Sequence, residues 1–410
     1  MTNDGTKARP VAAVSPSSRG GARENSASVS PNGRGWFSLA TLKTALVSLV
    51  KPRSRRLRQR HLRHLRLASQ AFFTLLSIWI GIKFYFFVRA LETGKATTLS
   101  ARPPGVEGYL PISGLIGLKY WILTGDLNPV HPAAILILLG ALLTGLFLKK
   151  GFCGWICPIG FLSENLRQLG VRIWRKPLNP PRWLDLPLRS VKYLLMAFFL
   201  WAVLVQMNVP ALRAFINSPY NKVADIKMLK FFTEMSSTTA WTLLALLVLS
   251  VIIPNFWCRY LCPYGALLGL LSVFSPTKIT RDPVTCIDCK LCTHACPMNL
   301  RVHTASRIAS DECNGCLECI AACPVPAALQ VALPSKRKRL SPYVYAALVV
   351  GVFSAFILAG KLTGHWQTSI SVDEYRRHVK NMNSPLYQHT QGRPAVRRDP
   401  LLSGGSRGTP

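Results

Sequence analysis

All twelve cysteines of this 410-residue chain fall into four tight clusters. Cys153 and Cys157 form one C-x3-C-P motif and Cys258 and Cys262 another. Cys286, Cys289, Cys292 and Cys296 form a third cluster, and Cys313, Cys316, Cys319 and Cys323 the fourth. None is left over for a structural bridge or a lone nucleophile, which excludes a small disulfide scaffold. The last two clusters, CIDCKLCTHACP at 286–297 and CNGCLECIAACP at 313–324, are both C-x2-C-x2-C-x3-C-P runs. Thiolates are the soft ligands that iron-sulfur clusters need, and three cysteines at intervals of three let one loop wrap one cluster. In such paired runs the fourth cysteine ligates the other cluster. The expected sets are therefore Cys286, Cys289, Cys292 and Cys323 for one 4Fe-4S cluster, and Cys313, Cys316, Cys319 and Cys296 for the second. A pair of zinc sites is the alternative. The duplicated pattern, with Pro297 and Pro324 after each fourth cysteine, favours iron-sulfur.

Apolar residues make up 49% of the chain, yet its net charge is +33, so grease and charge must occupy different stretches. Residues 51–66 hold eight Lys or Arg and no acid, and KRKR recurs at 336–339. Such clusters suggest nucleic acid, but beside apolar runs they are better read as setting membrane topology and meeting anionic lipid; no nucleic-acid partner is expected. Residues 1–35 read as a disordered tail, and 36–66 as an interfacial helix followed by a basic cytoplasmic segment. A membrane domain covers 67–275, with spans near 67–90, 130–148, 193–209 and 238–254; a last span comes at 342–360 and a tail at 361–410. Residues 109–123, with Pro111, Gly114, Gly117 and Lys119, suit a re-entrant or interfacial piece. Lys83, inside the first span, is expected to snorkel towards Arg89 at the outer end.

Loop 149–192 carries nine Lys or Arg against two acids, whereas 91–130 carries three of each, which puts the basic loop in the cytoplasm. Alternation then places the 276–340 ferredoxin-like segment inside. The resulting fold class is an α-helical polytopic membrane protein of about five transmembrane helices, with an inserted small α+β double 4Fe-4S ferredoxin domain of bacterial type. Five acids between 282 and 318 stand out in a basic protein as a docking face or simply a solvated one. His131 and Asp126, at the outer edge of the second span, suit proton shuttling for a quinol, although a single edge histidine is commonly just interfacial.

FCGWICPIG at 152–160 and WCRYLCPYG at 257–265 fall just past the cytoplasmic ends of the second and fourth spans. A spacing of four puts both cysteines of a pair on one helical face. Packed together, Cys153, Cys157, Cys258 and Cys262 would hold a third metal centre, act as redox thiols, or remain inert. No haem-attachment or nucleotide-binding motif is present.

This order of motifs resembles the NapH and NosR group of membrane polyferredoxins. The segments at 101–125, 149–164, 181–195, 218–232 and 257–269, and the tail near Trp366, are similar to its YccM-type branch, over about 75–397. The resemblance implies electron transfer at the bacterial inner membrane, between the quinone pool and a redox partner protein, by an electron-transfer component rather than a stand-alone enzyme. It leaves a second reading open, a maturation or regulatory protein that reduces a metal or thiol through the C-x3-C-P cysteines. No large extracytoplasmic flavin-carrying domain precedes the spans, unlike the NosR pattern.

Overall fold

The computed structural model describes residues 39–94, 102–175, 178, 180–325, 327–334 and 339–387, with side chains from Arg60 onward and without that of Arg182. The tail 1–35, three residues of the 336–339 basic cluster and everything beyond Tyr387 lie outside the described residues. Contacts divide the chain into Met1–Arg53 and Ser54–Pro410. The first unit is described only as helical backbone from Leu39, and the second carries every cysteine.

The helices run in order α1 Leu39–Thr93, α2 Pro111–Thr124, α3 Pro132–Phe147, α4 Gly151–Trp155, α5 Pro158–Trp174, α6 Arg182–Leu204, α7 Val209–Ile216, α8 Pro219–Lys222, α9 Ala224–Thr233, α10 Ser237–Ile252 and α11 Pro263–Phe274. The remainder of the chain gives β1 Lys278–Arg281, α12 Leu291–His294, β2 Arg307–Ile308, α13 Glu318–Ala322, β3 Leu329–Ala332, β4 Arg339–Leu340, α14 Pro342–Leu362 and α15 Val372–Lys380. Among the described residues three helices are long and apolar enough to cross a membrane: Arg60–Thr93, Trp183–Leu204 and Pro342–Leu362. A fourth candidate is α9 with α10, bent by 80° at the break between them. The chain is thus a mostly helical membrane protein with three to four candidate spans.

The apolar run at 130–148 folds as the 16-residue α3, about 24 Å long at 1.5 Å per residue. It is wrapped by α2, α11 and α14, so its hydropathy reports burial in protein as much as contact with lipid. Before α2 a 3-10 turn, Pro104–Tyr109, sets the Glu107 carboxylate at the head of α3, where it accepts the Ala134 N–H at 3.0 Å. From there α2 runs back along α3 towards Asn128. A side chain at Gly114 would meet the Ala134 carbonyl at 2.8 Å, so this glycine permits the close approach of the two helices. Lys119 donates to the carbonyls of Val203, Leu204 and Met207, satisfying groups that the C-terminus of α6 leaves open.

Lys83 does not reach towards Arg89. Its ammonium lies 4.4 Å from the centre of the Trp79 ring, one turn back along α1. Helical side chains lean towards the N-terminus, and an aromatic face offers a cation an attractive partner there.

The ferredoxin-like segment forms an antiparallel sheet of order β2-β1-β3-β4, with Ile279 opposite both Ile308 and Val331. Its core is continuous with that of the helices: Leu148, Phe152, Trp155, Tyr345 and Val349 belong to the same buried cluster as Leu317, Cys319 and Val331. Ion pairs fasten the join. Arg66, 5% exposed, pairs with Glu164 of α5 and at 2.9 Å with Glu318 of α13, while donating to the Gly154 carbonyl at 3.0 Å. Lys192 of α6 pairs with Glu312. Arg66→Gln leaves two carboxylates facing each other, and removing one partner of such a buried pair costs about 3–5 kcal/mol. Thermal unfolding of the variant in detergent should show that loss; an unchanged midpoint would mean that the arginine does not fasten the join.

Candidate functional site

The cysteines come together in three groups of four. Cys286, Cys289, Cys292 and Cys323 line one small cavity, with Arg281 and His303 beside them. Burial raises the Cys323 thiol, and the neighbouring Cys292, Cys289 and Cys286 thiols raise it further. The second group is Cys296, Cys313, Cys316 and Cys319: burial pushes Cys319 well up, and Cys316, Cys313 and Cys296 add to the effect. In the third, burial takes Cys153 up to about 11 and Cys258 up to about 12, with Cys262 a shared neighbour. Cys157 is raised by burial and then by Cys153, Cys258 and Cys262.

The two four-cysteine loops repeat one backbone conformation. The residues flanking the second cysteine of each loop have positive φ: Asp288 at 52° and Lys290 at 60° in the first, Gly315 at 60° and Leu317 at 62° in the second. Left-handed residues on both sides of a cysteine curl the chain tightly around one point. For Leu317 in particular this conformation carries strain that the surrounding fold must hold. Each loop then enters a one-turn helix, α12 or α13, that carries the third cysteine. His303 hydrogen-bonds Thr293 through Nδ1 at 2.8 Å, and His294 is exposed.

The intervening residues of the C-x3-C-P motifs are anchors. Trp155, fully buried, donates its indole N–H to the Gly315 carbonyl at 3.1 Å. Arg259 donates to the Met298 carbonyl at 2.8 Å and to Asp185 at 3.0 Å, and Tyr260 donates to Asp185 at 2.6 Å. Just before the second motif Asn255 donates to the Pro297 carbonyl at 2.6 Å. Both motifs therefore grip the loops that carry the second cysteine group. The closest join is at Gly154, where a Cβ would lie 2.6 Å from the Asn314 carbonyl oxygen. Gly154→Ala must push these backbones apart, an overpacking cost of about 1–3 kcal/mol. A lower unfolding midpoint with unchanged helical content is expected, and full tolerance of the methyl group would contradict the close packing.

Two buried lysines, Lys150 and Lys192, stand by the third group. Burial opposes the charge on Lys150, but Glu312, Cys153, Asp311 and Cys262 hold its pKa above the usual lysine value. Lys149 donates to the Ala309 and Ser310 carbonyls at 3.2 Å, and Tyr193 to Asp311. For three of the five acids between 282 and 318 this network replaces an outward face with an inward one. Asp311, Glu312 and Glu318 are engaged by Tyr193, Lys192 and Arg66 on the helices. They cement the segment to the helices because the helical loops are the basic partner at hand. Lys150, Lys192 and Arg66 give little sign of this role in the sequence, since each looks like one more topology charge.

His131 and Asp126 do not form a pair. His131 is fully buried, with Nε2 2.8 Å from the Asn221 carbonyl and Nδ1 3.6 Å from Glu107, whereas Asp126 is exposed. Arg102 completes that cluster by bonding Glu107 and Asp225, each at 2.7 Å. His131 heads α3 and Cys153 comes just past its far end, so the length of that helix, about 24 Å, lies between them.

All three groups present four thiols, a donor set suited to iron-sulfur clusters. Among the described residues no three His, Cys, Asp or Glu side chains close on a single ion. The family description "4Fe-4S binding domain" matches residues 130–177 and 239–281, the two C-x3-C-P segments, and "4Fe-4S dicluster domain" matches 278–324. The chain thus binds 4Fe-4S clusters. It is 42% identical over 329 residues to the Escherichia coli protein YccM, a relative named for electron transport, covering 79% of this chain and 91% of that one. The ferredoxin-type protein NapH of Haemophilus influenzae is 26% identical over 47% of this chain and 64% of its own. The regulatory protein NosR of Pseudomonas aeruginosa is 27% identical over 41% of this chain and only 23% of its own. No solved structure matches the chain. With nine-tenths of YccM aligned at that identity, the chain belongs to the YccM family of iron-sulfur electron-transport proteins.

Proposed function

We propose that the chain carries single electrons between the quinone pool and a soluble redox partner through three 4Fe-4S centres. Cys153, Cys157, Cys258 and Cys262 ligate the membrane-side centre. Cys296, Cys313, Cys316 and Cys319 hold the middle one, and Cys286, Cys289, Cys292 and Cys323 the outermost. The observation that carries this reading is the contact of Gly154 and Trp155 with the 314–316 backbone, which makes the membrane-side and middle groups neighbours. When bound, the clusters supply one-electron redox chemistry. The protein sets distance and potential: Lys150 and Arg66 put positive charge beside the membrane-side and middle thiol groups, which favours the reduced, more negative state.

The ferredoxin unit is 276–340, inserted between a membrane domain of four spans and a last helix at 342–360, and it faces the cytoplasm of the bacterial inner membrane. The basic loop 149–192, against the balanced loop 91–130, supports that orientation. Quinol oxidation belongs at the cytoplasmic end of α3, because the His131 cluster lies a helix length away from the nearest thiol group.

Membranes carrying the protein, mixed with a quinol under anaerobic conditions, should show cluster reduction by electron paramagnetic resonance. Cys258→Ala should abolish that reduction while the ferredoxin centres still accept electrons from dithionite, and Cys289→Ala should deplete the outermost centre alone. Quinol reduction that survives Cys258→Ala would overturn the relay. Lys150→Met should lower the membrane-side midpoint potential and Lys150→Arg should restore it; a potential indifferent to both would remove Lys150 from the account.

A further inference from the structure

The outermost thiol group is also the most accessible, and its surroundings have a definite chemistry. Cys289 is the one exposed cysteine among the twelve. The loop around it presents Val284 at 92% exposure, Ile287 at 66% and Leu291 at 48%. Isolated exposed apolar side chains are ordinary, but three flanking one exposed ligand candidate make a patch. Leu291 also forms a wall of a surface cleft whose other walls include His294, Ala295 and Ala321 from the ferredoxin segment, and Arg60 and Arg63 from α1. The walls therefore include Leu291 next to Cys292, Ala295 next to Cys296 and Ala322 next to Cys323. Small alanines there leave little side chain between a docked surface and the thiols.

The charge around this cleft has one sign. Arg60, His294 and Lys290 are exposed, and Arg63 is half exposed although it also pairs with Glu318 at 3.1 Å. Most of the acids that would balance them are engaged elsewhere: Asp311, Glu312 and Glu318 are held by the helices, and the exposed Asp288 sits 3.6 Å from Arg281. The basic end of α1 is not free to lie on lipid here, since Arg66 is tied to Gly154, Glu164 and Glu318, and Leu62 is buried in the shared core.

We propose that this cleft and the Val284–Ile287–Leu291 patch are the docking surface for an acidic, soluble, one-electron carrier protein. The inference rests on the relay reading and names its partner class and exit. Docking brings the carrier's redox group over Cys289. Each encounter moves one electron: the reduced protein loses it and the oxidised carrier gains it, with no bond formed and no group transferred. A small apolar centre within a basic rim suits a weak, transient encounter steered by charge.

The test uses the full-length protein in detergent, reduced with dithionite, and an oxidised acidic flavodoxin as probe in a stopped-flow instrument. The second-order rate should fall steeply as salt is raised. Arg60→Glu/Arg63→Glu should slow it about tenfold or more at low ionic strength, within the range that charge steering spans, and flatten the salt dependence. Arg60→Glu alone, which leaves the Glu318 pair intact, should act in the same direction. Val284→Ser/Leu291→Ser should slow transfer without altering the salt slope. Iron content and paramagnetic spectra establish that each variant is loaded. Rates unchanged in these loaded variants, or a basic cytochrome c accepting electrons faster than flavodoxin, would overturn the docking surface while leaving the relay standing. Failure of the wild type to pass electrons even to ferricyanide would instead strike the relay itself.

Discussion

Gly154 packs directly on the backbone at Asn314, where no side chain can stand between the first C-x3-C-P motif and a ferredoxin loop. Much of the rest depends on keeping that contact. Trp155 holds the Gly315 carbonyl from one side, Tyr345 of α14 donates to the Leu148 carbonyl just before the motif, and Arg66 clamps the Gly154 carbonyl from α1. The apolar core runs through the join without a gap. A ferredoxin unit bound by a flexible tether would gain nothing from such packing. One fused to the helices keeps its thiol groups at fixed separations from those of the C-x3-C-P motifs, which electron transfer requires.

Charge completes the arrangement. Burying Lys150, Lys192 and Arg66 is costly unless each finds a partner. Glu312 and the neighbouring thiols, Glu164 and Glu318 provide them. The same residues that weld the halves together thus place positive charge next to the proposed ligands, where anionic clusters are stabilised. At the opposite end of α3 a second set of buried charges, Arg102 with Glu107 and Asp225, pins the 3-10 turn and α9 beside His131. The Thr368 hydroxyl and Ser369 N–H close over the same end by bonding the Val130 and Pro129 carbonyls. The thiol groups are all at the other end of α3.

The cysteine spacing makes the iron-sulfur chemistry legible, because ligand periodicity is a local property of the chain. The helices are legible where they are long: the apolar runs at 67–90 and 342–360 lie inside α1 and α14. Hydropathy alone does not tell how α3 is surrounded, since a helix wrapped by other helices is as apolar as one facing lipid. Lys119 and Gly114 look like marks against a span. Their reasons, three carbonyls at the end of α6 and the approach to α3, are tertiary. The acids at 311, 312 and 318 look outward-facing in the sequence because their partners on the helices, Lys192 and Arg66 among them, lie over a hundred residues away along the chain. Nothing in the spacing of Arg102, Glu107 and Asp225 announces that the fold brings them around His131.

The central claim is that all twelve cysteines hold clusters, four to each. Iron and acid-labile sulfide per chain, measured in anaerobically purified, detergent-solubilised protein, test it most directly. About twelve of each, four for every cubane, is the predicted result. About eight, with Cys153, Cys157, Cys258 and Cys262 open to alkylation, would confine the clusters to the ferredoxin unit and contradict a relay that begins at the membrane.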